Sequence, residues 1–278
     1  LGVALGGAGL LALRKMRRLA ATIALLSLAG GALIVVDYRT RLAPSAPTGA
    51  ATLEVLWVNL LQSNTVSPDR LSAELLGSGA DLIVLAEATP AFDAIPGLSD
   101  LYPYRAGCST PARCELLILS RRPLGPITFG DTAFGQQRMA RFPIYMPDGT
   151  AVMVVAVHRI KPWYLGLTNM GDEWMNAVLS GRRDRSMIVM GDFNATPWSR
   201  RMSYLADTHG LRSFTRPVAT WPAQAGPFGL AIDHVLTRGG AQIRSLTSWG
   251  GNLGSNHVGL RASVAIWDIT TTGPTEGD

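Results

Sequence analysis

The sequence predicts an α/β domain, with sheets sandwiched under helices, behind one apolar helix able to cross a membrane. Three observations carry this. Residues 19–36 (LAATIALLSLAGGALIVV) hold no charged side chain. From residue 53 to about 267, short β-rich runs alternate with helical patterns, without an internal repeat. Several runs, such as 151–157 (AVMVVAV), are apolar at consecutive positions, which suits strands buried on both faces.

The apolar run comes first. Its 18 residues lie at the short end of what spans a bilayer, roughly 17–25 residues. Arg14, Lys15, Arg17 and Arg18 precede it and outnumber Arg39 and Arg41 beyond it. This asymmetry expects the N-terminal side in the cytoplasm and the remainder outside. Residues 1–18 then form a cytoplasmic or partial membrane segment, in which the apolar stretch 1–13 is either the end of an earlier helix or a truncated start. A cleaved signal peptide is the competing reading. Its apolar region would be shorter, about 7–15 residues, and no small-x-small site follows Val36 directly.

Residues 37–51 (DYRTRLAPSAPTGAA), rich in Pro and Ala, read as a linker. Strands are expected at 53–59, 82–86, 116–120, 151–158, 187–191, 232–237 and 258–267, and helices near 69–76, 165–180 and 199–209. Together they place one domain over 52–268, and residues 269–278 (ITTTGPTEGD) read as a frayed tail.

Composition narrows the partners. Hydrophobic residues make up 47% and charged residues 16%, with a mean hydropathy of +0.18. The net charge of +5 invites a nucleic-acid reading, but the charge is in the wrong place. Four basic and no acidic residues precede residue 37, which leaves 21 basic against 20 acidic in the rest. The basicity is a topology signal, so a membrane is favoured over nucleic acid as the partner. Cys108 and Cys114 are the only cysteines. In an oxidising exterior they are expected to close a small disulfide loop, the alternative being two free thiols. No further ligands lie nearby at a zinc spacing.

The chemistry sits at the ends of the apolar runs. Glu87 follows LIVLA and offers a hard cation a carboxylate. Asn59 ends the first run in the same manner. In Gly191-Asp192-Phe193-Asn194 a strand delivers Asp192, and Asn194 lies two residues on, on the same side. A carboxylate there can polarise water while the amide donates to a phosphoryl oxygen. His158 ends one strand and His257 begins another, with Asp233 the candidate to fix the tautomer of His257. His209, within a helix, reads as structural, as does His234, which faces away from Asp233.

Taken in order, Val58-Asn59, Ala86-Glu87, Val157-His158, Gly191-Asp192-Phe193-Asn194, Ile232-Asp233-His234 and Ser255-Asn256-His257 resemble the endonuclease/exonuclease/phosphatase superfamily. Leu119-Ser120-Arg121, Pro197 and Thr220-Trp221-Pro222 support the resemblance, which is closest to membrane-anchored bacterial members. It implies a four-layer sandwich, two mixed β-sheets face to face with helices outside, and a metal-dependent phosphoesterase using Mg2+ or Mn2+. By position, Glu87 with Asn59 would hold the metal, and Asp192 and Asn194 would align or activate water. His158 would contact the phosphate, and Asp233 with His257 would handle protons.

One residue departs from the family pattern. Asn256 stands where members usually carry an Asp that helps bind metal. The amide keeps an acceptor oxygen but removes a charge, which weakens a hard-cation site. Three readings follow: a working phosphoesterase on a phosphate, phosphodiester or pyrophosphate ester, with the tether at the bilayer favouring a lipid-linked one; an exported nuclease; or an impaired member that binds phosphate ligands.

Overall fold

The computed structural model describes residues 2–3, 5–7, 16–43, 45–131, 137–180 and 186–269. Nearly all of the expected tail, 270–278, lies outside them. The chain divides into two units, Leu1–Leu42 and Ala43–Asp278. In the first, helix α1 (Arg17–Arg39) extends the apolar run at both ends. Its 23 residues span about 35 Å at 1.5 Å per residue, against roughly 30 Å of bilayer hydrocarbon. By length and composition α1 can cross a membrane.

The second unit contains two mixed sheets flanked by helices. One sheet orders its strands β10-β11-β1-β2-β4-β3 and the other β5-β6-β7-β8-β9. The strands are β1 (Ala51–Asn59), β2 (Leu82–Ala86), β3 (Tyr104–Gly107), β4 (Leu116–Ser120), β5 (Thr128–Asp131), β6 (Gln137–Tyr145), β7 (Ala151–His158), β8 (Ser186–Asp192), β9 (Asp233–Gly239), β10 (Ala241–Trp249) and β11 (Gly259–Ile266). Helices α2 (Pro68–Gly77), α3 (Leu165–Leu179) and α4 (Arg200–His209) complete the layers.

Alternation along each strand builds the four layers. Trp57 and Val55 of β1, Val84 of β2, Phe142 of β6, Val154 of β7 and Ile188 of β8 meet between the sheets. Their sequence neighbours Leu56, Val58, Ile83 and Leu85 point the other way, onto Leu71 and Leu75 of α2. On the far sheet Val155, Val157 and Val189 pack against Met175 and Leu179 of α3 and Met202 and Leu205 of α4. Period two thus fills an inner and an outer core from one strand. Each such buried side chain contributes about 1.5–3 kcal/mol. Ser67 caps α2 by accepting from the Arg70 N–H, and Ser199 caps α4 by accepting from Met202. Gly210 ends α4 at φ +63°, a left-handed position that favours glycine.

Four strands escaped the sequence reading: β3, β5, β6 and β10. β3, β5 and β10 are sheet edges, so one side of each is unpaired and its residues need not be apolar. β6 carries Arg138, Arg141 and Pro143 between its buried positions, which breaks up the apolar run. The expected disulfide joins Cys108 and Cys114.

Candidate active site

Strand register alone gathers the polar tips. β1 and β2 run parallel with Asn59 beside Ala86, so Glu87 emerges next to Asn59. β7 and β8 are parallel with His158 beside Asp192, and antiparallel β9 sets Asp233 beside Asp192. β11 runs antiparallel to β1, with Leu260 beside Trp57. The segment before β11 therefore reaches the same end, where the Ser255 hydroxyl donates to the Asn59 carbonyl at 2.6 Å.

At the centre lies Asp192, 2% exposed. Its Oδ1 accepts the Asn194 backbone N–H at 2.8 Å, and its Oδ2 accepts from Asn59 Nδ2 at 3.3 Å. The same Oδ2 is 3.8 Å from His158 Nε2 and 3.8 Å from His257 Nε2. Burial pushes the Asp192 carboxyl up to about 6, with the Asp233 charge adding to the rise and the two histidines opposing it.

His257 is held by Asp233, whose Oδ2 is 2.9 Å from Nδ1. Asp233 is itself fixed by the Trp57 indole N–H at 2.8 Å, and its backbone N–H donates to the Thr220 hydroxyl at 3.2 Å. Burial works against the charge on His257, yet Asp233, then Asp192 and Glu87, outweigh it and raise its pKa. Burial likewise opposes ionisation of Asp233, but the charge and hydrogen bond of His257 hold its carboxyl below the usual range.

His158 has an equally built environment. Glu115 Oε1 is 2.5 Å from Nδ1, and the Arg138 guanidinium lies 2.7 Å from Nε2 and 2.9 Å from Glu115. For Glu115, burial opposes ionisation, and the His158 hydrogen bond with the His158 and Arg138 charges overcomes it and lowers the pKa. Neither Glu115 nor Arg138 was evident in the sequence. The signal is the register: Leu116 pairs with Ala86, and Met139 with Val157. Glu115 thus falls beside Glu87, and Arg138 opposite His158.

The remaining residues take distinct places. Asn194 sits at φ +48° and donates from Nδ2 to the Arg159 carbonyl at 2.8 Å. Glu87, at φ +47°, accepts the Gln62 N–H at 2.8 Å on Oε2, and Asn59 Nδ2 approaches its Oε1 at 3.2 Å. Left-handed backbone at a non-glycine costs on the order of 1–3 kcal/mol and concentrates at working sites. The Asn59 oxygen is turned to the Leu61 N–H at 3.0 Å. His209 bonds Asn176 at 2.9 Å, and His234 bonds the Ala195 carbonyl at 2.8 Å, both away from this cluster.

The residues present fit a hard divalent cation. Among the described residues Asn256 Oδ1 is buried without a hydrogen-bond partner, and a lone acceptor of this kind is costly unless something binds it. With the Glu87 carboxylate it offers an oxygen donor set. Asp192, Asp233 and His257 also bring ligand atoms within 4.8 Å of one another. Within this trio Asp233 is bonded to His257 Nδ1 and to the Trp57 indole N–H, which links the three groups as a proton-handling chain.

The comparisons bear on the family and the fold. The sequence profile described as "Endonuclease/Exonuclease/phosphatase family" matches residues 56–257, well over half of the chain. The chain belongs to the Endonuclease/Exonuclease/phosphatase family. As a member of this family it is a phosphoric ester hydrolase of a class that uses divalent metal. Among curated proteins none matches the sequence. Solved structures of the family fold are similar. Sphingomyelinase C from Streptomyces griseocarneus is 18% identical with TM-score 0.56, covering 77% of this chain and 99% of that one. The human Nocturnin catalytic domain with bound sulfate is 16% identical with TM-score 0.60, covering 78% and 95%. D. rerio TDP2 complexed with a single-strand DNA product is 14% identical with TM-score 0.60, covering 77% and 99%.

Proposed function

We propose that this protein is a membrane-anchored, extracytoplasmic, Mg2+- or Mn2+-dependent phosphoesterase acting on a phosphate, phosphodiester or pyrophosphate ester, with a lipid-linked ester the favoured class. The observation that carries the chemistry is Asp192 Oδ2 facing two histidine Nε2 atoms at 3.8 Å each. A phosphoryl group set there meets a carboxylate base and the His257 imidazole donor, beside the His158 ring that accepts from Arg138 at Nε2. The domain organisation rests on residues 19–36 within α1 as the anchor, 37–51 as linker and 52–268 as the family domain. The extracytoplasmic side is supported by the basic residues before α1 and by the Cys108–Cys114 disulfide. One structural neighbour, a sphingomyelinase C by name, is in keeping with a lipid ester. The DNA-bound TDP2 keeps an exported nuclease as the second reading.

Glu87 and Asn256, with Asn59 beside them, would hold the metal, which when bound neutralises phosphoryl charge. Ionised Asp192 takes a proton from water as its oxygen attacks phosphorus, Asn194 fixing the carboxylate through its backbone N–H. The ester P–O bond breaks as the new one forms. His158, its ring fixed by Glu115 at Nδ1 and by the Arg138 N–H at Nε2, lines the phosphoryl site. His257 holds its proton at Nε2, passes it to the departing oxygen, and regains one from Asp192 across the 3.8 Å gap.

Hydrolysis of a generic phosphodiester, plasmid DNA and a polyprenyl pyrophosphate, with Mg2+ and with chelator, tests the reading. Metal-dependent cleavage of the pyrophosphate is expected, and cleavage of DNA alone would sink the lipid assignment. Asn256→Asp is expected to lower the Mg2+ concentration for half-maximal rate about tenfold, since carboxylate binds hard cations better. A wild type silent on all three substrates, switched on by Asn256→Asp, would instead identify an impaired member.

A pH profile tests the proton chain. Activity needs Asp192 ionised and His257 protonated, which gives a bell with its acid limb at or below pH about 6. Asp233→Asn removes an anion that raises both groups. Both limbs are therefore expected to move to lower pH, with kcat down about 10²-fold. A purely structural effect of the substitution would lower the bell without moving it.

A further inference from the structure

A cavity of about 500 Å3 opens one residue from His257, walled by Val218, Pro227, Trp249, Gly251 and Val258. The residues that line it carry no charged side chain. It is built onto the active site by backbone hydrogen bonds. The Val258 N–H donates to the Thr220 carbonyl at 2.8 Å, and the Ala223 N–H donates to the Asn256 carbonyl at 2.8 Å. The 218–230 loop is thereby fastened to both neighbours of His257, while the Thr220 hydroxyl receives the Asp233 N–H. Wall and proton chain share one piece of backbone.

The loop exposes apolar groups together. Trp221 and Leu230 bond each other through their backbones and close it, leaving Phe228 92% exposed beside half-exposed Leu230 and Trp221. Single exposed apolar residues are common, but three on the loop that also gives the cavity Val218, Gly226 and Pro227 mark a contact surface. Glycine keeps the space open: a Cβ on Gly251 would meet only the Val258 methyls, at 3.8 Å or more, and one on Gly226 would meet nothing.

We propose that this cavity receives the hydrocarbon chain of the substrate, so that the enzyme selects phosphate or pyrophosphate esters of long-chain apolar alcohols. The inference rests on the phosphoesterase reading above and deepens it. Three observations favour a hydrocarbon over a nucleic-acid strand. The lining has no cation to meet a phosphate backbone. Its volume lies within the roughly 300–1,000 Å3 of small-molecule sites, which are mostly apolar with polar groups at one end. Residues 40–50 between α1 and β1 reach at most about 40 Å when fully extended. On the anchored reading, that keeps the domain where such lipids lie.

The test uses the full chain in nanodiscs with two esters sharing one leaving group, 4-nitrophenyl hexadecyl phosphate and 4-nitrophenyl methyl phosphate. Wild type is expected to prefer the hexadecyl ester by at least about tenfold in kcat/KM. Gly251→Phe, which fills the cavity, and Phe228→Ser, which strips the exposed ring next to the lining residue Pro227, are each expected to erase most of that preference. Both should leave hydrolysis of the methyl ester unchanged, which also reports that the variants fold. Equal rates on the two esters in wild type, or a preference that survives in Gly251→Phe, overturns the proposal. If neither ester is cleaved, the phosphoesterase reading falls, and binding of hexadecyl phosphate then decides about the cavity. Tighter binding by wild type than by Gly251→Phe supports it, and equal binding overturns it.

Discussion

Asp192→Asn is expected to lower kcat by about 10³-fold on a soluble phosphodiester at saturating Mg2+, with KM little changed. The size follows from general-base catalysis, which contributes typically ~10²–10⁴-fold. The substitution is nearly isosteric and keeps an acceptor for the Asn194 N–H at Oδ1. Its effect should therefore be chemical. The pKa of the native carboxyl, raised to about 6 by burial and then by Asp233, means that ionised Asp192 is held at a cost to the fold above that pH. An amide removes the cost, so the unfolding temperature at pH 8 is expected not to fall. Adding His257→Ala to Asp192→Asn should cost far less than the two single losses multiplied, because both act on one proton path. Multiplicative losses in single-turnover kinetics would show that Asp192 and His257 serve separate steps.

Much of this site was legible because its residues terminate apolar strands. Glu87 after LIVLA and Asp192 after MIVMG stand out locally, since a carboxylate ending a buried strand has no role in the core. Glu115, Arg138 and Trp57 are different. Glu115 precedes a strand rather than ending one, and its approach to His158 exists only once β4 pairs antiparallel with β2. Arg138 lies on a strand whose apolar pattern is interrupted, and it meets His158 only through the β6–β7 register. Trp57 reads as core and is fully buried between the sheets, yet its indole N–H reaches Asp233, 176 positions away. Asn256 stood out by its identity. The structure adds that its oxygen is buried and has no partner among the described residues, a fact no sequence pattern carries. The layers were legible from doubly apolar strands, while the edge strands β3, β5 and β10 lack that signal because water covers one side of them.

Glu87→Gln and Glu115→Gln are expected to part company under metal titration, although both glutamates face His158. Glu87 Oε1 lies 3.7 Å from His158 Nε2, and its carboxylate is the acid that joins the Asn256 oxygen in the proposed cation site. With an amide already at 256, loss of the Glu87 charge leaves a neutral donor set, and hard cations bind such sets poorly. The Mg2+ concentration for half-maximal activity should rise by ~100-fold or more, and at millimolar Mg2+ the rate should fall by at least about 10². Glu115 is engaged by His158 Nδ1 and Arg138 and acts through them. Its amide should lower kcat by about tenfold to a hundredfold at saturating metal, on the scale of lost supporting hydrogen bonds, and leave the metal midpoint in place. Equal metal midpoints for the two variants, measured by activity and by Mn2+ binding, would remove Glu87 from the cation site and leave it, like Glu115, a positioning group for His158.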